Sequence, residues 1–123
     1  MPTYYQQAVS SFEPVAICRL FPFSFGCVIK YLFRAPFKGD EVNDLQKALD
    51  YLDRVKREIN EQVVSEDQLC QSVERAHELI RVCSNQQLRD FLAAYQNYEL
   101  RVALEELHAS ITTRLRSLNA VNQ

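Results

Sequence analysis

The chain has 123 residues, 47% apolar and 24% charged, with a formal net charge of −2 at neutral pH. That length suits one domain, and those proportions sit near globular averages, which excludes a disordered chain. Of only two glycines and four prolines, none lies beyond Gly39, which excludes a turn-rich sheet protein and favours an all-α bundle of about five helices.

Residues Met1 to Ser11 show no clear period and read as an arm or a short helix. Glu13-Pro14 then suits a first helical turn, opening a short helix through Leu20 that stops at Phe21-Pro22. The spacing predicts a second helix over Ser24–Ala35, with Lys30 and Arg34 sharing one face, and Val28, Ile29, Leu32 and Phe33 covering much of the rest. Asp40 is a good N-cap for a third helix, whose stripe is Val42, Leu45, Leu49, Leu52, Ile59 and Val63, flanked by Ala48 and Val55. Ser65 to Gln68 has the form of a capping box, opening a helix with Leu69, Val73, Ala76, Ile80 and Cys83 inward. Ser84-Asn85 breaks it. The last third carries Leu88, Phe91, Leu92, Tyr95 and Tyr98, then Leu100, Leu104, Leu107, Ile111, Leu115 and Leu118. This reads as two helices bending near Gln96-Asn97 or as one long amphipathic helix. The near-heptad spacing suits a coiled-coil-like pairing, so the stripe either packs back on the bundle or binds another copy; because it is long relative to the core available to cover it, a homo-oligomer is expected.

The four cysteines form no CxxC pair, and the two histidines lack ligand spacing. They read as reduced, buried thiols, with no metal site. The apolar run Leu20 to Phe33 is interrupted by Pro22, Gly26 and Lys30 and falls short of the ~20 residues a membrane span needs. With no signal-peptide pattern, the expectation is a cytoplasmic protein without membrane attachment.

Charge is unevenly spread. Residues 1–39 carry Arg19, Lys30, Arg34 and Lys38 against Glu13 alone, whereas residues 40–123 are net acidic. Four basic residues make too small a patch for a nucleic-acid backbone, and the acidic remainder would repel one. Phosphate-loop and nucleophile-elbow motifs are missing. The densest polar constellation is Lys30, Tyr31, Arg34 and Lys38, followed by Asp44 and Lys47. Lysine and arginine one helical turn apart can clamp a phosphate, and Tyr31 or Phe37 can stack on a base. The competing reading is structural: Lys30 and Arg34 pair with Glu13, Asp44 or Asp50 and hold helices together.

Phe12-Glu13-Pro14-Val15, Phe25-Gly26-Cys27-Val28-Ile29-Lys30-Tyr31-Leu32-Phe33-Arg34-Ala35, Lys38-Gly39 and Asp44-Leu45-Gln46-Lys47-Ala48-Leu49-Asp50-Tyr51-Leu52 form an ordered set. Over about residues 12–58 it resembles a family of small tailed-phage and prophage proteins, described as distant relatives of phage nucleotide kinases. The family commonly carries Asn where this chain has Cys27. The resemblance implies a phage or prophage origin and nucleotide handling, with Lys30, Tyr31, Arg34, Lys38 and Lys47 at the ligand. Glu13 and Asp44 are then the supporting acids, with Mg²⁺ as cofactor if the chain is a nucleoside monophosphate kinase. Residues 59–123 form an acidic helical half suited to assembly. The alternative is a non-enzymatic helical module that engages a host or phage protein.

Overall fold

The computed structural model describes residues 18–37 and 39–121. Among these there are five helices and no strand: α1 (Phe23–Arg34), α2 (Glu41–Asn60), α3 (Glu66–Arg81), α4 (Gln86–Asn97) and α5 (Leu100–Val121). The expected arm and most of the short helix before Leu20 lie outside the described residues. Elsewhere the helix order matches the periodicity of the sequence, and the last third resolves into two helices with their break at Tyr98.

Local side-chain chemistry sets the starts. Asp40 caps α2 by accepting from the Asn43 amide at 3.2 Å, and Ser65 caps α3 by accepting from Gln68 at 3.4 Å. Asn85, expected only to break a helix, also starts the next: its side chain accepts from the Leu88 amide at 2.8 Å. Glu41 and Asp44 in the first turn of α2 complement its dipole.

The end of α2 departs from expectation. The stripe read through Val63 stops at Ile59, because the chain turns out of the helix at Gln62, whose φ is +60°. The Gln62 amide bonds to the Ile59 carbonyl at 3.1 Å and the Val63 amide to that of Glu58 at 2.8 Å, the paired bonds of a Schellman ending. Glycine normally takes that left-handed position. With glutamine there, no breaker marks the end, and Val63 is left 68% exposed. We expect Gln62→Gly to raise stability by ~0.5–1 kcal/mol in urea unfolding, since the backbone penalty of ~1–2 kcal/mol outweighs the added freedom of the unfolded chain.

Helices α1 and α2 form a hairpin across a short turn, as do α4 and α5; α5 returns onto α2, and α3 packs on α4. The register of α5 against α2 is read from contacts that run in opposite directions along the two helices. Arg114 forks onto Glu41, His108 meets Asp53 at 3.3 Å, Lys56 meets Glu105 at 2.8 Å, and Arg101 bonds to Asn60 at 2.9 Å. The two helices are therefore antiparallel. These surface contacts fix alignment more than stability, at ~0–1 kcal/mol each. Stability comes from the apolar interior, where Leu32, Leu45, Leu52, Leu69, Ile80, Leu88, Phe91, Leu104, Leu107 and Ile111 are almost fully buried.

The α5 stripe finds its cover inside the chain. Leu100, Leu104, Leu107, Ile111 and Leu115 are all buried, so the stripe that suggested a second copy does not require one. The thiols are free as expected, but only Cys83 is buried; Cys18, Cys27 and Cys70 are half-buried. No helix among the described residues is long and apolar enough to cross a membrane.

Candidate functional site

The α1–α2 hairpin brings together residues more than a dozen positions apart. Tyr31 sits on α1 beside the inward-facing Leu32, half-buried against the core, with one side of its ring near the surface. Three cations surround that ring. The Lys30 ammonium is 5.5 Å from its centroid, the Lys47 ammonium 5.4 Å, and the Arg34 guanidinium carbon 5.9 Å. All fall within cation–π range, each worth ~0.5–1 kcal/mol at an exposed position. Three like charges gathered on one ring repel each other, and an anion placed among them would relieve that repulsion.

The three cations are not equivalent. Arg34 Nε lies 3.8 Å from Asp44 Oδ1, and the Asp44 side chain is only 3% exposed. This pair spans α1 and α2, so the structural reading of Arg34 is realised with Asp44 as partner. Arg34 Nε and Asp44 Oδ2 are both buried and make no hydrogen bond among the described residues. Lys30 and Lys47 are exposed, and neither forms an ion pair among the described residues. They are the free charges of the face. Asp44 supports Arg34 from below instead of opening to solvent. Lys38 and Glu13, the other expected members, lie outside the described residues.

Three residues join the face that the sequence reading left out of the site. Tyr51 lies nearly parallel to Tyr31, with centroids 6.0 Å apart and planes 15° apart. Arg54 places its guanidinium carbon 5.1 Å from the Tyr51 centroid, and Phe23 meets Tyr51 edge-on at 6.3 Å. Lys47, Tyr51 and Arg54 follow each other at i, i+4 and i+7, a spacing that puts them on one side of α2. That stripe was readable in the sequence; Phe23, 67% exposed at the first position of α1, carried no such signal. The result is a band of aromatic rings alternating with cations along the seam of the hairpin. It offers planar surfaces and positive charge, the chemistry with which an anion or an aromatic ring can be met. Among the described residues no three His, Cys, Asp or Glu side chains converge on a metal position.

Other concavities are chemically different. A groove of about 500 Å³ between α3 and the α4–α5 corner is lined by Cys70, Glu74, His77, Tyr95, Tyr98 and Glu99. Its polar groups are engaged with each other: the Tyr95 hydroxyl donates to Glu74 at 2.9 Å, and Gln96 bonds to the His77 ring at 2.6 Å. Burial, and then the bond to Glu74, push the Tyr95 phenol up. Its acids would repel phosphate.

Residues 4–53 match the model of a protein family of unknown function, DUF3310. No curated protein and no solved structure matches the chain. The matched segment contains Lys30, Tyr31, Arg34, Asp44, Lys47 and Tyr51 and stops just before Arg54. It ends within α2, so α3, α4 and α5 lie outside it.

Proposed function

We propose that the α1–α2 seam binds a nucleotide, its phosphate held by Lys30 and Lys47 and its base laid against the Tyr31–Tyr51 pair. The observation that carries this reading is the convergence of three cations on the Tyr31 ring, two of them without acidic partners among the described residues. Arg34, held by Asp44, keeps its remaining guanidinium donors for a phosphate oxygen. Arg54 supplies a further charge at the Tyr51 end. The resemblance to a tailed-phage family related to nucleotide kinases supports the same ligand class and a phage or prophage origin. Turnover is a subset of this proposal: a monophosphate kinase would need Mg²⁺ and a second nucleotide, with the lysines neutralising charge on the transferred group.

The test is a thermal-shift screen of nucleoside mono-, di- and triphosphates, with and without Mg²⁺. A ligand at a hundred times its Kd adds ~2.7 kcal/mol, which moves Tm by roughly 10 °C in a domain of this size. We expect a base-selective shift that disappears in the Lys30→Ala/Lys47→Ala double variant while its helix content and unliganded Tm stay near the parent values. Both lysines are exposed and form no ion pair among the described residues, so their removal is expected to leave packing intact. An unchanged shift in that variant would overturn the assignment.

A second reading keeps the chain non-enzymatic, as a helical module for a host or phage protein. Its support is the exposure of large apolar side chains at helix corners, Val63 at 68% and Tyr98 at 67%. A flat nucleotide screen on folded protein, together with partner binding that is lost on Tyr98→Ser, is the outcome it requires.

A further inference from the structure

A single nucleotide leaves part of the α1–α2 seam unused. Its base is laid against Tyr31 and Tyr51, and Phe23 stands beyond them, edge-on to Tyr51 and 67% exposed. Tyr51 is therefore the middle of three rings, its centroid 6.0 Å from Tyr31 and 6.3 Å from Phe23. Phe23 opens α1 and Tyr31 lies two turns later, so the row extends ~12 Å along the helix at ~1.5 Å per residue. One base cannot cover a row of that length.

The spacing of the rings selects the kind of ligand. Bases stacked in a duplex strand follow each other at ~3.4 Å, whereas these rings step at nearly twice that. An opened single strand, with each base free to turn onto its own ring, matches such a row; a paired and stacked duplex does not. Cations run alongside. Lys30, Arg34 and Lys47 gather at Tyr31, and the Arg54 guanidinium carbon lies 5.1 Å from the Tyr51 centroid. Arg54 is exposed and, like the two lysines, forms no ion pair among the described residues. Asp50 shares this side of α2 and is engaged by Gln46 at 3.2 Å. Its charge weakens the positive field, so stacking has to supply most of the selectivity. The patch is too small for a long backbone, but a trinucleotide brings only two linking phosphates to neutralise.

We propose that the seam takes a short single strand of nucleic acid, about three nucleotides long. Its bases lie in turn on Tyr31, Tyr51 and Phe23, with Lys30, Lys47 and Arg54 at the phosphates. The Tyr31 and Tyr51 planes differ by 15°, so the first two bases lie nearly parallel. Phe23 stands at 90° to Tyr51, so the third lies across them. The proposal rests on the nucleotide reading of the same seam and extends it from one unit to three. It concerns binding alone, with no bond made or broken.

The test is isothermal titration calorimetry of the full chain with 5′-phosphorylated oligothymidylates of one to six units at fixed salt. Kd should fall about fivefold or more with each base up to three, since every added base gains a ring. Past three it should fall only by the statistical factor for sliding along the row. The dependence of log Kd on log salt should steepen by ~0.7 for each phosphate added over that range. A blunt hairpin duplex should bind at least about tenfold more weakly than the trinucleotide. Phe23→Leu keeps apolar bulk without an aromatic face and should lose the third step, whereas Phe23→Tyr should keep it. Because Phe23 is exposed, both variants should retain the parent circular dichroism spectrum. Equal affinity for one and three units would overturn this proposal and leave the nucleotide reading standing; no binding at any length would overturn both. A third step that survives in Phe23→Leu, or duplex binding as tight as single-strand binding, would also overturn it. Matched uridylates in deoxyribose and ribose form distinguish DNA from RNA, and the length series in either one supports the proposal.

Discussion

Replacing Phe91 with alanine should lower stability by ~4 kcal/mol, seen as a Tm drop of roughly 15 °C in calorimetry or circular dichroism. Phe91 is fully buried on α4, and its ring packs against Phe25 of α1 at 5.6 Å and against Tyr95 at 6.3 Å. Phe25 in turn meets Phe21 at 5.2 Å. These rings form the bridge by which the α4–α5 hairpin reaches α1, so truncation removes apolar burial and opens a cavity where two helices meet. A domain of this size has about 6–18 kcal/mol in total, so the variant should remain folded in the cold and lose much of its margin. Phe91→Leu should lose under half as much, because it refills most of the volume. A Phe91→Ala loss below ~1.5 kcal/mol would show that the site collapses or that α1 and α4 do not share a core.

The second large effect concerns the Arg34–Asp44 pair, and its sign depends on which partner is removed. Arg34→Ala should cost roughly 2–3 kcal/mol. It strands a carboxylate that is 3% exposed, and uncompensated buried charge is expensive. The figure is kept below the usual loss for a fully buried pair because the Arg34 side chain is 41% exposed and partly screened. Asp44→Ala should cost about 1 kcal/mol or less, because the half-exposed guanidinium can turn to water. At 3.8 Å, with Arg34 Nε and Asp44 Oδ2 lacking hydrogen bonds, the pair is loosely made. The double replacement Arg34→Met/Asp44→Leu should therefore fall within ~1 kcal/mol of the parent. Urea unfolding of the three variants measures this directly, and equal losses for the two alanine variants would refute the asymmetry. The same result explains why Arg34→Ala is a poor probe of ligand binding: it perturbs fold and face together, whereas Lys30→Ala and Lys47→Ala touch the face alone.

The chain's own residues settled its class and most of its element boundaries. Long stretches without proline or glycine, apolar stripes at helical spacing, and Asp40, Ser65 and Asn85 ahead of them made helices the locally cheapest conformation. The cluster at Lys30, Tyr31 and Arg34 was legible because one helical turn suffices to bring it together, and Lys47 because it lies in a neighbouring ordered motif. Other features depended on contacts between distant segments. Whether Arg34 faced solvent or an acid turned on how α1 lies against α2, and that docking buried Asp44 beside it. Tyr51 and Arg54 became part of the face only when the hairpin closed. Ser65 marked where α3 begins, but the end of α2 was hidden because glutamine occupies a backbone conformation that glycine usually signals. At α5 the sequence left two outcomes open, packing back on the bundle or pairing with another copy. An apolar stripe records only that something must cover it. Antiparallel docking along α2, set by matched polar contacts and buried leucines, supplied that cover from within the same chain.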